Sequence, residues 1–167
     1  MMSQVFNAEE IFSIGIQIEK NGCLYYRTVA DNTSDEDVKN LFLSLAEWEK
    51  NHIEVFENLK SQLPEDLKNQ NLFDPDNTVH LYLKATADSH IFVKNSDIEK
   101  LALSCSSPRE AIELALQFEK DSVVYYSSMK EMVRDDLGRN HLDKLIREEL
   151  THVGQLTKEL NRLDPGS

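Results

Sequence analysis

The chain has 167 residues, 40% of them hydrophobic and 29% charged, an ordinary balance for one soluble domain with a core of its own. Its formal net charge of -12, from 30 acidic against 18 basic residues, argues against nucleic acid and membrane surfaces as partners, since both attract basic patches. Cys23 and Cys105 are the only cysteines, both placed by the pattern in apolar helical surroundings; they exclude a disulfide framework and a rubredoxin-type four-cysteine iron site. With no signal-peptide pattern and no long apolar run, the expectation is a soluble, cytoplasmic protein.

Helix A is predicted over about 7–30. Asn7-Ala-Glu-Glu10 reads as a capping box, and Phe6 is placed to staple onto Ile11. The apolar face carries Ile11, Phe12, Ile14, Gly15, Ile16, Ile18, Cys23 and Tyr26, and Glu19 falls inside it, because Phe12, Glu19 and Tyr26 are spaced by seven residues, two helical turns. Helix B is predicted over about 35–62, stopping before Pro64. On it Leu41, Leu45, Trp48, His52, Phe56 and Leu59 form a stripe, with Glu49 one turn before His52.

Residues 63–106 form a crossover, with breakers at Pro64 and at Asp74-Pro-Asp-Asn. A structureless connection of that length is unusual, so one or two short helices are expected, over about 78–94 and 96–104, the second with Ser96-x-x-Glu99 as its cap. If helices B and C run parallel, the connection must travel the bundle length, roughly 35 to 40 Å at 1.5 Å per residue. Helix C is predicted over about 107–134 from Ser107-Pro108-Arg109-Glu110, which supplies N-cap, N1 proline and N3 glutamate together. Its inward stripe holds Ile112, Ala115, Glu119, Ser122, Tyr126 and Val133. Helix D, about 137–163, turns Leu142, Leu145, Glu149, His152, Val153, Leu156 and Leu160 inward, and Asp164-Pro165-Gly166 ends it. No fifth long helix is expected.

The two halves repeat. Ile14 to Tyr26, IGIQIEKNGCLYY, returns one hundred residues later as LALQFEKDSVVYY, and Glu49-Lys-Asn-His52 returns as Glu149-Leu-Thr-His152. The repeating unit is a helix, a loop and a second helix. The fold class is therefore all-α, a four-helix bundle of two αα-hairpins joined by a long crossover, expected as a single domain over 1–167.

One coincidence carries the chemistry. Glu19, Glu119, Glu49/His52 and Glu149/His152 all fall on buried stripes and are related by one offset. One Glu from each of two helices and Glu-x-x-His from each of the other two is the ligand set of dinuclear carboxylate bundles. Four carboxylates buried together repel and lose hydration, whereas two divalent cations bring the set to neutrality. The competing reading is a metal-free bundle whose symmetry is only an old duplication, since one Glu-x-x-His on a charged helix is usually solvated. Tyr26 and Tyr126 lie two turns beyond Glu19 and Glu119; they are either plain core residues or hydrogen-bond donors to a ligand carboxylate. Tyr25 and Tyr125 read as packing residues, Cys23 as a core thiol, Trp48 as core or interface, and His80, His90 and His141 as surface residues, with a ligand role for His90 in the crossover left open.

These motifs resemble the rubrerythrin-like branch of the ferritin-like superfamily. The resemblance covers the four long helices and leaves the crossover and tail unmatched. It implies two irons, or Mn or Zn in their place, held by Glu19, Glu49, His52, Glu119, Glu149 and His152, with Glu49 and Glu149 bridging and Tyr26 and Tyr126 bonded to ligand carboxylates. It further implies a non-haem di-iron oxidoreductase using peroxide or dioxygen, a homodimer, and, with no rubredoxin domain in the chain, an external electron donor such as a rubredoxin. The alternatives are bacterioferritin-like iron oxidation and a non-catalytic helical interaction protein. One departure stands out: rubrerythrins carry a further helix C carboxylate one turn from the matching Glu, where this chain has Leu116 and Ser122.

Overall fold

Asn7 caps the first helix in the computed structural model, which describes residues 7–65, 81, 85, 97–133 and 138–163. Its side chain accepts from the Glu10 backbone N–H while the Glu10 carboxylate accepts from the Asn7 N–H, each at 2.9 Å. The predicted box therefore forms and starts α1, Ala8–Asn32; its staple from Phe6 lies outside the described residues. Asp35 caps α2, Glu36–Ser61, by accepting from Asp37 N and Val38 N. The second crossover segment forms as α3, Ile98–Leu103, capped by Asp97 rather than by Ser96. The first, over 78–94, lies outside the described residues except for positions 81 and 85, both helical.

Ser107 caps α4, Pro108–Met132, with proline in the first turn as read from the sequence. The capping box there is modified: Glu110 reaches past the N-cap and accepts from the backbone N–H and hydroxyl of Ser106, both at 2.6 Å. Gly138 enters α5, Arg139–Leu163, at φ +110°. A side chain there would be strained, and its Cβ would meet Leu59 Cδ2 at 2.3 Å, so the turn requires glycine.

Side-chain bonds fix the directions of the helices. Lys60 near the end of α2 bonds Ser13 and pairs with Glu9 near the start of α1, so these two are antiparallel. Tyr25 near the end of α1 donates to the Ala111 carbonyl at the start of α4, and Tyr125 donates to the Ile11 carbonyl at the start of α1. Those helices are antiparallel too. Arg162 at the end of α5 grips Asp35 at the start of α2 with two bonds of 2.9 and 2.8 Å. It follows that α2 and α4 are parallel, which is why the connection between them must run the length of the bundle. The hairpins α1/α2 and α4/α5 form the main contacts, α1 meets α4, α2 meets α5, and α3 packs on α1.

The core is an aromatic interior with a charged centre. Tyr25, Tyr26, Tyr125, Tyr126, Phe12, Phe42, Phe56 and Phe118 are its largest fully buried side chains. Tyr26 sits edge-on to Phe42 and Phe118, with ring centroids 5.4 and 5.7 Å away, and Phe56 lies 5.1 Å from Tyr126. Burying a side chain of this size stabilises by about 1.5 to 3 kcal/mol. These apolar walls hold four carboxylates in place. No helix among the described residues is long and apolar enough to cross a membrane.

Candidate metal centre

All six residues singled out by the repeat meet in one buried cluster. Glu19 comes from α1, Glu49 and His52 from α2, Glu119 from α4, and Glu149 and His152 from α5; each is at most 2% exposed. Because i and i+3 share a helix face, each Glu-x-x-His aims both side chains at the same point. His52 Nδ1 stands 3.0 Å from Glu149, 3.2 Å from Glu49 and 3.7 Å from Glu19. His152 Nδ1 stands 3.0 Å from Glu149 and 3.5 Å from Glu119.

The donors divide into two overlapping sets. Glu19, Glu49, His52 and Glu149 bring one atom each within 4.8 Å of one another, and so do Glu49, Glu119, Glu149 and His152. Only Glu49 and Glu149 belong to both, so they are the two carboxylates able to bridge a pair of cations.

Each carboxylate also keeps a spare oxygen. Glu19 Oε2, Glu49 Oε1, Glu119 Oε2 and Glu149 Oε1 are buried with no hydrogen-bond partner, and they are the only such side-chain atoms among the described residues. Glu149 Oε1 is 3.0 Å from His52 Nδ1 but off the hydrogen-bonding direction. A buried acceptor with no donor costs about 1 to 3 kcal/mol, and four at one point leave the cluster short of positive charge. The residues fit a pair of divalent cations: hard carboxylate oxygens and two imidazoles suit Fe, Mn or Zn.

On protein charges alone the carboxylates cannot all stay ionised. Burial, reinforced by Glu19 and Glu149, holds Glu49 far above the usual carboxylate range, and burial with Glu149 does the same to Glu119. Burial pushes Glu149 the same way, but His52 and His152 on either side overcome it and keep Glu149 ionised. Burial lowers both imidazoles, yet the surrounding carboxylates win: Glu149 leads in raising His52 well above 6.5, and Glu119 and Glu149 raise His152 to about 9. Cations would replace these shared protons as the source of positive charge.

Tyr26 donates to Glu119 and Tyr126 donates to Glu19, each across the bundle, by short hydrogen bonds. Burial, then the neighbouring carboxylates, keeps both phenols protonated well above their usual range, so they act as donors and orient Glu119 and Glu19. The two tyrosines lie on opposite sides of the cluster along the bundle axis, since α1 and α4 are antiparallel.

The rubrerythrin family model matches residues 10–160. The chain belongs to the rubrerythrin family. A crystal structure of a protein from Thermotoga maritima described as ferritin-like and diiron-carboxylate superposes with a TM-score of 0.67 over 98% of this chain and 99% of that one. At 20% identity that likeness shows the fold alone. No curated protein gave a match.

Leu116 and Ser122, one turn either side of Glu119, are buried and offer no carboxylate, so α1 and α4 contribute one glutamate each. Several other positions differ from their sequence reading. Tyr25 and Tyr125 do more than pack: both are fully buried and bond backbone carbonyls of the facing helix. Cys105 sits in the link after α3, not within a helix, 3.7 Å from the Tyr25 hydroxyl. Trp48 is 40% exposed, so it is not core; its ring stands tilted beside that of His152, with centroids 6.0 Å apart and planes at 56°. Glu148, one hundred residues after Trp48, bonds the outer nitrogen of His52 at 3.2 Å. Cys23 packs against the core and His141 is exposed, as expected; His80 and His90 lie outside the described residues.

Proposed function

We propose that this protein is a non-haem di-iron oxidoreductase that reduces hydrogen peroxide or dioxygen and is itself reduced by a separate electron-carrier protein such as a rubredoxin. The carrying observation is the double membership of Glu49 and Glu149 in two overlapping donor sets, every carboxylate of which has an unsatisfied oxygen. A lone structural ion would need only one set. When bound, two irons would supply the two electrons that cleave the O–O bond, each passing from Fe2+ to Fe3+ as two protons convert the peroxide oxygens to water.

The chain's own part is to hold and to exclude. Glu19, Glu119 and the two Glu-x-x-His pairs would ligate, with Glu49 and Glu149 between the metals. Tyr26 and Tyr126 fix the terminal carboxylates through their hydroxyls. Phe12, Phe42, Phe56 and Phe118 close the interior around the cluster, which keeps water away and strengthens the electrostatic hold on cations. The four orphaned oxygens weigh against a purely structural bundle, because apolar side chains would fill the same space at lower cost.

The test starts from protein purified without chelator, analysed for metal, then loaded with two equivalents of Fe2+ under anaerobic conditions. One equivalent of hydrogen peroxide should oxidise both irons in a rapid step visible in the near-ultraviolet charge-transfer absorption. Loaded protein that stays reduced with both peroxide and dioxygen overturns the reading.

A further inference from the structure

The pseudo-two-fold relation that pairs Glu19 with Glu119, Tyr26 with Tyr126 and His52 with His152 breaks beside the imidazoles. Trp48 and Glu148 are repeat partners, each immediately before a Glu-x-x-His glutamate. Glu148 reaches from α5 to α2 and places Oε2 at 3.2 Å from His52 Nε2. Trp48 reaches from α2 to α5 and lays its indole against His152. One imidazole is backed by a carboxylate and the other by an apolar ring.

The two backings act differently on a ligating histidine. Both histidines aim Nδ1 into the cluster. At His52 the Glu148 carboxylate requires a hydrogen on Nε2, which leaves the Nδ1 lone pair free to face a metal and makes that nitrogen a stronger donor. At His152 no acceptor meets Nε2 among the described residues, so nothing selects that tautomer. Glu148 is held by its helix and by Lys144, whose Nζ stands 3.7 Å away. The two positions that share Glu49 and Glu149 are thus chemically unequal although their inward ligands are the same.

We propose that Glu148 is a positioning residue that makes the metal position at His52 the tighter of the two, while Trp48 leaves the position at His152 the weaker and more exchangeable one. This rests on the metal-binding part of the function proposed above and not on its redox chemistry. The centre then fills in order, His52 side first.

The experiment titrates the full-length chain, stripped with chelator, with Mn2+ in the calorimeter, without oxidant. The parent should bind two equivalents in two resolved steps, and at one equivalent its electron paramagnetic resonance spectrum should be that of isolated Mn2+. Glu148→Ala should weaken the tighter step alone, by about 10- to 100-fold, the usual loss when the outer partner of a metal-bound histidine is removed. Glu148→Gln, whose amide oxygen still accepts from Nε2, should fall between. Trp48→Glu should tighten the weaker step toward the other. Glu148 is on the rim of the site, its side chain 23% exposed, and an unchanged helical signal in Glu148→Ala separates a local effect from misfolding. Equal affinity at both positions of the parent, or equal weakening of both steps in Glu148→Ala, overturns the ordering while leaving the dinuclear site intact. Failure of the parent to bind Mn2+, Fe2+ or Zn2+ overturns the proposed function along with it.

Discussion

The Tyr26 hydroxyl on α1 donates to the Glu119 carboxylate on α4, and the same bond recurs with the helices exchanged, from Tyr126 to Glu19. Each tyrosine therefore ties one hairpin to the carboxylate of the other, and neither partner can be removed without orphaning its mate. Glu119→Leu removes a buried carboxylate, a change that is often neutral or stabilising by about 1 to 4 kcal/mol, but it strands the Tyr26 hydroxyl at about 1 to 3 kcal/mol. Compared in excess chelator, Glu119→Leu should melt close to the parent, Tyr26→Phe below it, and the double variant above both singles. Metal content should fall below two equivalents in every variant lacking Glu119. Additive melting shifts in the double variant would contradict the hydrogen bond.

Much of the centre was legible because it is written twice. Glu19, Glu49, His52 and their counterparts share one offset and one apolar face, so the period alone brought them together. Local chemistry also placed the caps at Asn7 and Ser107. What escaped depends on how helices cross. Glu148 and Trp48 sit one residue before a ligand and meet histidines on the opposite hairpin, and no spacing within a single helix encodes such a contact. Trp48 even fell on the apolar stripe of its own helix, yet it lies at the rim of the bundle. Tyr25 and Tyr125 escaped for a similar reason: their hydroxyl acceptors are backbone carbonyls of a facing helix, invisible to side-chain patterning.

Protonation of the cluster makes the chelated protein sensitive to alkali. Glu49, Glu119, His52 and His152 all hold protons more tightly when folded. A group of this kind contributes stability that is fully present below its unfolded pKa, 4.5 for Glu and 6.5 for His, and loses it as pH rises through the folded value, which for His152 is about 9. Glu149 runs the other way, its contribution present above 4.5 and lost toward acid. In excess chelator the melting temperature should therefore fall between pH 6.5 and 9. With metal the increment over the chelated protein should widen across the same range, because binding releases those protons. A chelated melting temperature that rises with pH would show that the imidazoles are not charged by their carboxylate neighbours.

Association is expected from the apolar side chains left on rigid helices. Leu24 and Val124, repeat partners, are 39% and 42% exposed, and Leu150 is 55% exposed. We propose a homodimer that covers some of them, with light scattering at micromolar concentration giving twice the 19.2 kDa chain mass. Leu24→Lys with Val124→Lys should halve it, because a charge placed in an apolar interface is left unpaired. A parent that scatters as a monomer removes the proposal.

Gly22 supplies the last prediction, through the close approach of α1 and α4. A Cβ there would lie 2.6 Å from Cζ and 2.9 Å from Cε1 of Phe118, with Glu49 Cγ next at 3.6 Å. Phe118 is fully buried and pinned edge-on to Tyr26, so its ring cannot yield. Alanine within a helix gains about 0.5 to 1 kcal/mol over glycine, but overpacking a filled core costs about 1 to 3 kcal/mol, and Gly22→Ala should be net destabilising. The repeat itself names the remedy. At the related positions the chain carries Ser122 where this half has Gly22, and Ile18 where the other has Phe118, a small residue exchanged for a larger one against a smaller partner. Gly22→Ser combined with Phe118→Ile should therefore recover most of the melting temperature lost by Gly22→Ser alone. Because the insult would fall on the neighbour of Glu49, metal affinity should drop in the single variant and return in the double. A Gly22→Ala protein that melts at or above the parent would show that α1 and α4 stand further apart than this packing requires.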